Sequence, residues 1–366
     1  MVQDGRVDMK YSCKSFSMGF CIKDDLSRRW YKGGSAEISE QTARQAIDLI
    51  PKLVSPAWLD KDIKMALRLD FGRGESLLKL PLLKNIYDYA AKTKLFSNPH
   101  FTTITVYTDG SGLSDEVFAW FNKIANRVIN AVALVFVTES GKIDLSSIAK
   151  YKDQLTANPC ICTAVRYFIT DLDADILGDI QSLSDFGFNR LYLNPVHLNH
   201  ELRGMWKDTD KFLSFGRKLV DYYLENKDKA WRNGIYPLTE MHNYKSRDEL
   251  WHDVDEEIRC AFYGGHLIES YVMPDGSIYT CSKAHLLGDE LKLGSVQHGI
   301  NRDKIEYARA NMKIGCKCYV SDVCFKGCYV LHKMLSKKRM VDTPRTDIHC
   351  LFRKTIFRKL QKHKVI

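Results

Sequence analysis

The sequence predicts an α/β chain of serial βα units around a parallel sheet, followed by a small cysteine-rich module. Three observations predict it. Between about residue 66 and residue 225 short apolar runs alternate with segments of helical period. Seven of the eleven cysteines fall between Cys260 and Cys350. No low-complexity linker separates the two regions.

The strand candidates are Leu67–Phe71, Thr103–Tyr107, Ala131–Val137, Ile161–Ile169 and Arg190–Val196, each apolar, short and rich in β-branched or aromatic residues. Between the last two, Leu172, Ile176, Leu177, Ile180 and Leu183 share one helical face, and Gly187 ends that helix before the next strand. Serial βα units imply right-handed crossovers and a parallel sheet, either doubly wound or a closed or partial barrel; periodicity does not choose between them. The stretch from about 226 to 258, rich in charge and holding Trp231 and Trp251, reads as the seam between the regions.

At 366 residues the chain is long enough for a large α/β domain and a smaller module. No apolar run approaches the roughly 20 residues of a membrane span. Residues 1–20 lack the apolar core and cleavage site of a secretory signal, so a soluble, cytoplasmic protein in a reducing compartment is expected. The formal charge is +9, but Arg353, Lys354, Arg358, Lys359, Lys362 and Lys364 supply six of those units in an acid-free tail. Nucleic-acid binding is therefore not expected; the tail reads as the solvated face of a helix whose apolar side, Phe352, Ile356, Phe357 and Leu360, packs on the cysteine module.

The cysteines read Cys260-x15-Gly276-x4-Cys281, then Cys316-x-Cys318-x5-Cys324-x3-Cys328, then Cys350. Close thiolates on tight loops completed by distant partners suit a polynuclear iron–sulfur centre. Zinc favours paired Cys-x2-Cys knuckles, and the chain has none. Pro274, Asp275 and Gly276 read as a tight turn that brings Cys281 onto a returning strand.

With its segment Met273-Pro-Asp-Gly-Ser-Ile-Tyr-Thr-Cys281 and the short strand Lys292-Leu-Gly-Ser-Val296, the region 260–350 resembles the SPASM domain, the auxiliary iron–sulfur module of radical S-adenosylmethionine (SAM) peptide maturases. The central block is similar to the radical SAM core, a partial (β/α) barrel. Phe71-Gly-Arg-Gly-Glu75 looks like the strand-end Gly-Gly-Glu-Pro motif that contacts the amino group of SAM, and Thr108-Asp-Gly110 like the family's Thr-Asn-Gly turn. The resemblance divides the chain into a barrel, 1–235, and a SPASM-like domain with a basic C-terminal helix, 236–366. It assigns Cys260, Cys281 and Cys328 to a first auxiliary 4Fe-4S cluster, with His266 a candidate fourth ligand. It assigns Cys316, Cys318, Cys324 and Cys350 to a second, and Gly74 and Glu75 to a residual SAM site.

Active members carry Cys-x3-Cys-x2-Cys on the loop after the first strand, leaving one iron open to SAM. The stretch matched to it is Cys13-Lys-Ser-Phe-Ser17-Met-Gly-Phe20-Cys21, with serine and phenylalanine at the second and third ligand positions. Serine is a poor ligand for iron held in sulfide, and phenylalanine is none. Cys160 and Cys162 share a face of a barrel strand and read as small core residues rather than replacements. The resemblance thus implies a pseudo-radical-SAM protein with no catalytic residue assigned, retaining one or two 4Fe-4S clusters but not SAM. Its implied partners are a precursor peptide or an intact maturase. The competing readings are an active maturase with an irregular cluster loop and a zinc-binding structural protein.

Overall fold

The computed structural model describes residues 14–22, 36–54, 65–72, 74–93, 102–125, 132–158, 161–195, 209–226, 234–236, 238, 262–263, 266–312, 329–330, 333 and 348–363. The chain begins with strand β1 (Lys14–Cys21), helix α1 (Glu40–Asp48) and the short α2 (Ile50–Leu53). Four further units follow: β2 (Met65–Gly72) with α3 (Leu80–Lys92), β3 (Thr102–Thr108) with α4 (Asp115–Ala125), β4 (Val132–Glu139) with the short α5 (Lys152–Thr156), and β5 (Ile161–Ile169) with α6 (Ile176–Phe186). A last unit joins β6 (Arg190–Pro195) and α7 (Thr209–Glu225) to β7 (Gly234–Tyr236).

β1 to β7 pair in chain order, every pair parallel. Strand order that never reverses is that of a barrel wall; a doubly wound sheet turns back at a switch point. The wall does not close on itself, because the outer edge of β1 is taken by β10 (Glu269–Val272), also parallel. From there the sheet continues antiparallel through β11 (Ser277–Tyr279), β12 (Lys292–Ser295) and β13 (Gly299–Ile300), making eleven strands. A separate two-stranded piece pairs Phe262–Tyr263 (β8) with His266–Leu267 (β9).

Alternation on each strand sorts its side chains. Phe16, Met18 and Phe20 of β1, Leu67, Leu69 and Phe71 of β2, and Val132, Leu134 and Phe136 of β4 are buried in one core with the inner faces of α1, α3 and α4. Burying each such side chain contributes about 1.5–3 kcal/mol. The opposite residues line the concave side. Local chemistry ends the elements as expected: Asp175 caps α6 by accepting from Gly178 N, and Gly187 stops it at φ 112°. In the β10–β11 hairpin Gly276, at φ +81°, donates from N to Met273 O at 2.9 Å, while Asp275 accepts from Ser277 N. This is the Pro-Asp-Gly turn read from the sequence, and the expected strand at 292–296 is β12.

Two expectations are corrected here. The sequence places the stretch from Cys13 to Cys21 on a loop after the first strand, but Lys14–Cys21 is that strand, held by parallel pairing on both edges. The sequence packs the basic helix α9 (Ile348–Lys362; α8 is Arg302–Asn311) on the cysteine module, but it packs on α7 of the barrel. Phe352 lies 5.0 Å from Phe212 and 6.0 Å from Phe215 between ring centroids, and Lys359 donates to Arg217 O and pairs with Asp221. An amphipathic helix follows its apolar stripe, and α7 offers the matching aromatic face.

The join between β1 and β10 depends on Gly19, whose absent Cβ leaves room for the ring of Tyr271. Gly19→Ala should destabilise the protein by about 1–3 kcal/mol through overpacking. Combined with Tyr271→Ala, most of that cost should vanish, read as a positive coupling in a urea-denaturation double-mutant cycle.

Candidate functional site

The mouth of the barrel, at the C-terminal ends of its strands, is built around Glu75. Gly74, at φ 78°, turns the chain off β2 so that Glu75 opens a short 3₁₀ turn, Ser76–Lys79, and accepts from Leu77 N at 3.3 Å. Its carboxyl then reaches the end of β3. Thr108 Oγ1 lies 2.8 Å from both oxygens, and Asp109 N donates at 2.7 Å. Burial, followed by the neighbouring Asp109 carboxyl, pushes the Glu75 pKa up to about 8. Asp109 is shifted the other way: burial opposes its ionisation, but donors from Ser111 and the Glu75 proton outweigh that. At neutral pH the two carboxyls thus hold one proton between them.

Deeper in the concave side lies a charged group. Ser17 of β1 donates to Asp70 of β2 at 2.5 Å, and Arg68 pairs with Asp70 at 3.0 Å. Glu269 of β10 stands in register with Ser17. Burial, then the Asp70 charge, raises its pKa to about 7, against the pull of Arg68, Arg166 and Lys283. Arg166 of β5 reaches across β4 to lie 5.0 Å from the ring centroid of Tyr107 of β3, which shows how strongly the wall curves. Tyr192 and Tyr236 stack at 4.5 Å on β6 and β7. Tyr271 spans from Gly19 towards Gly72, against which Tyr107 also packs.

Gly74 and Glu75 are therefore together at the mouth, as read from the sequence. Of the proposed cluster ligands, Cys281 is described in full: it is buried just beyond β11, at the start of the turn where Ala284 N donates to its carbonyl. Cys350 occupies the first turn of α9. His266 lies in β9, paired with Tyr263. Cys13, Cys160, Cys260, Cys316, Cys318, Cys324 and Cys328, like Arg73, Trp231 and Trp251, lie outside the described residues. Cys162 is half-buried on the concave side, and Cys21 is buried at the end of β1.

With β1 placed, the connection that follows it is residues 22–39, and that stretch contains no cysteine. The sequence reading also misses Arg68, Arg166, Glu269 and Tyr271 of the inner wall. Its signal is present: Arg68 and Asp70 in β2 and Arg166 in β5 interrupt strands whose neighbours are apolar, and a charge in a buried strand marks an inward, polar face. Glu269 and Tyr271 give no such signal, because β10 has only four residues.

Among solved structures, the chain is similar to native anSMEcpe with bound AdoMet and the Kp18Cys peptide. The TM-score is 0.64 at 12% identity, covering 95% of this chain and 98% of that one. It is similar also to a hexahistidine-tagged anSMEcpe with bound AdoMet, at TM-score 0.65 and 13% identity over 95% of this chain and 97% of that one. The chain has the radical SAM-type fold. No family model matches the sequence, and no curated protein does. Among the described residues no helix is long and apolar enough to cross a membrane.

The two raised carboxyl pKa values fix the sign of a pH effect. Folding holds Glu75 and Glu269 protonated to higher pH than the unfolded chain does, so their stabilising protons are fully bound below about pH 4.3 and lost on rising through about 7 to 8. Urea midpoints should fall between pH 5 and pH 8.5, and the slope should flatten in Glu75→Gln and in Glu269→Gln. A slope unchanged in both variants would place the titration elsewhere.

Proposed function

We propose that the chain is a non-catalytic partner in a radical SAM peptide-modification system, binding a precursor peptide or an intact maturase in the cytoplasm. The observation that carries this reading is the cysteine-free connection of residues 22–39 in a chain of radical SAM-type fold. Reductive cleavage of SAM needs an iron–sulfur cluster fixed by three local thiolates with one iron left open. In the fold these belong on that connection, and it offers none. Cys21, buried at the strand end, is the one cysteine in the sequence between residues 14 and 39. The residues at this position do not fit the catalytic cluster.

The rest of the mouth supports the same reading. Glu75, the residue that would meet the amino group of SAM, already accepts from Thr108, Asp109 N and Leu77 N and is held protonated near neutrality. A neutral carboxyl is a weak partner for an ammonium group. Tyr107 and Tyr271 fill the approach to Gly72, the last residue of β2, two residues before Gly74 of the motif.

The C-terminal region, 236–366, retains a thiolate set suited to auxiliary clusters. Cys260, Cys281 and Cys328 would hold one 4Fe-4S cluster, with His266 a further donor, and Cys316, Cys318, Cys324 and Cys350 a second. Such clusters supply cross-links between distant loops, so metal binding and folding of this region are coupled. Peptide binding is supported by the fold's use in anSMEcpe, which was solved with the Kp18Cys peptide.

Anaerobic reconstitution with iron and sulfide tests the proposal. The protein should take up about four to eight irons and release no 5′-deoxyadenosine from SAM and a strong reductant. Cys281→Ala should lower the iron content by about four per chain. Formation of 5′-deoxyadenosine overturns the non-catalytic role, and stoichiometric zinc in place of iron overturns the cluster assignment.

A further inference from the structure

The inner wall of the barrel is open along β4 and β5. Ala133, Val135 and Val137 of β4 and Cys162 of β5 are half-buried, whereas Val132, Leu134 and Phe136 of β4 and the alternate residues of β5 are buried on the helix side. These side chains are small, and Ala164, itself buried at 5% exposure, stands beside Val135 in register, so the wall has a low floor. Rings rise on either side of it: Tyr107 on β3, and the Tyr192–Tyr236 pair at 4.5 Å and 14° on β6 and β7. From β3 to β6 is three strand spacings, about 14 Å along the sheet.

Arg166 stands on this floor. Its guanidinium covers one face with the Tyr107 ring, 5.0 Å from the centroid. Among the described residues it makes no hydrogen bond and no ion pair, although Glu269 lies within its field. The guanidinium is half-buried and none of its nitrogens is sealed from solvent, so its donors are open to an incoming acceptor and its plane to a group laid against it. A flat π-system covers such a face better than an alkyl group does, since the cation is drawn to the ring quadrupole. A peptide carries both kinds of group, an aromatic ring for the face and backbone carbonyls for the donors.

We propose that this wall seats an aromatic side chain of the bound peptide, laid flat on Arg166 between Tyr107 and the Tyr192–Tyr236 pair. The proposal deepens the peptide-binding reading above and rests on it. Glu269 of β10, which feels the charges of Asp70, Arg68 and Lys283, also feels that of Arg166, so the ring stacks at the edge of a polar group rather than in an oily pocket.

The test uses the full-length protein and three probes, N-acetyl-tryptophanamide, N-acetyl-leucinamide and adenosine, followed by saturation-transfer NMR and titration. The tryptophan probe should bind, the leucine probe about tenfold more weakly, and adenosine should not compete. Arg166→Leu should weaken the tryptophan probe about tenfold, with Arg166→Lys between the two. Ala164→Leu, which raises the floor and leaves the guanidinium in place, should abolish binding; a thermal midpoint near that of the wild type confirms that the variant is folded. No binding of the tryptophan probe to wild-type protein, equal binding of the leucine probe, adenosine in place of tryptophan, or binding that survives both Arg166→Leu and Ala164→Leu overturns the proposal. Iron content and SAM cleavage do not read these side chains, so this proposal and the non-catalytic role fail separately.

Discussion

Everything in the molecule is referred to β1, because it is the strand through which the barrel and the C-terminal strands become one sheet. Both of its edges are used in parallel pairing, with β2 and with β10. Both of its faces are buried, Phe16, Met18 and Phe20 beneath the helices and Ser17 and Cys21 on the concave side. A strand so enclosed leaves no freedom of register, since a shift of one residue would exchange phenylalanines for Ser17 and Gly19. The glycine is part of the constraint: it admits the Tyr271 ring, and so lets β10 lie at sheet distance.

That enclosure explains what the sequence can and cannot show. β5 is legible to the residue, and β2, β3, β4 and β6 within two residues at their ends, because each pairs an apolar face with a helix of matching period. β1 instead reads as a ligand loop. Its run Ser-Phe-Ser-Met-Gly-Phe-Cys alternates, but the small polar members are what a concave wall requires and also what a loop contains. β7 and β10, with three and four residues, are too short to show a period. The docking of α9 on α7 is illegible for another reason: an apolar stripe says that a helix packs, and not on what.

Placement of β1 in turn changes the meaning of the N-terminal cysteines. Read as a loop, the stretch looks like a cluster site from which two ligands have been substituted. Seen as a strand, it is held by pairing on both edges, and Ser17 has a role of its own as the donor to Asp70. Cys21 is the last residue of this buried strand. The polar side chains of the concave wall form a connected set in which Asp70 serves Ser17 and Arg68, and Glu269 balances Arg68, Arg166 and Lys283. Removing one member leaves another charge half-buried without its partner, which is costlier than the interaction itself is favourable.

The retained Gly-x-Gly-Glu sequence at the barrel mouth has a structural reason to persist. Gly74 takes up a left-handed conformation that turns the chain, and Glu75 joins the end of β2 to the end of β3 through Thr108 and Asp109 N. Its shared proton with Asp109 removes the repulsion that two adjacent carboxylates would otherwise impose. Replacement by glutamine preserves the acceptor for Thr108 and offers Asp109 a donor without a titrating proton, whereas alanine would leave Thr108 and the Asp109 amide to find other acceptors. The motif can therefore be maintained by the needs of the turn alone, and its presence is not by itself evidence that SAM is bound.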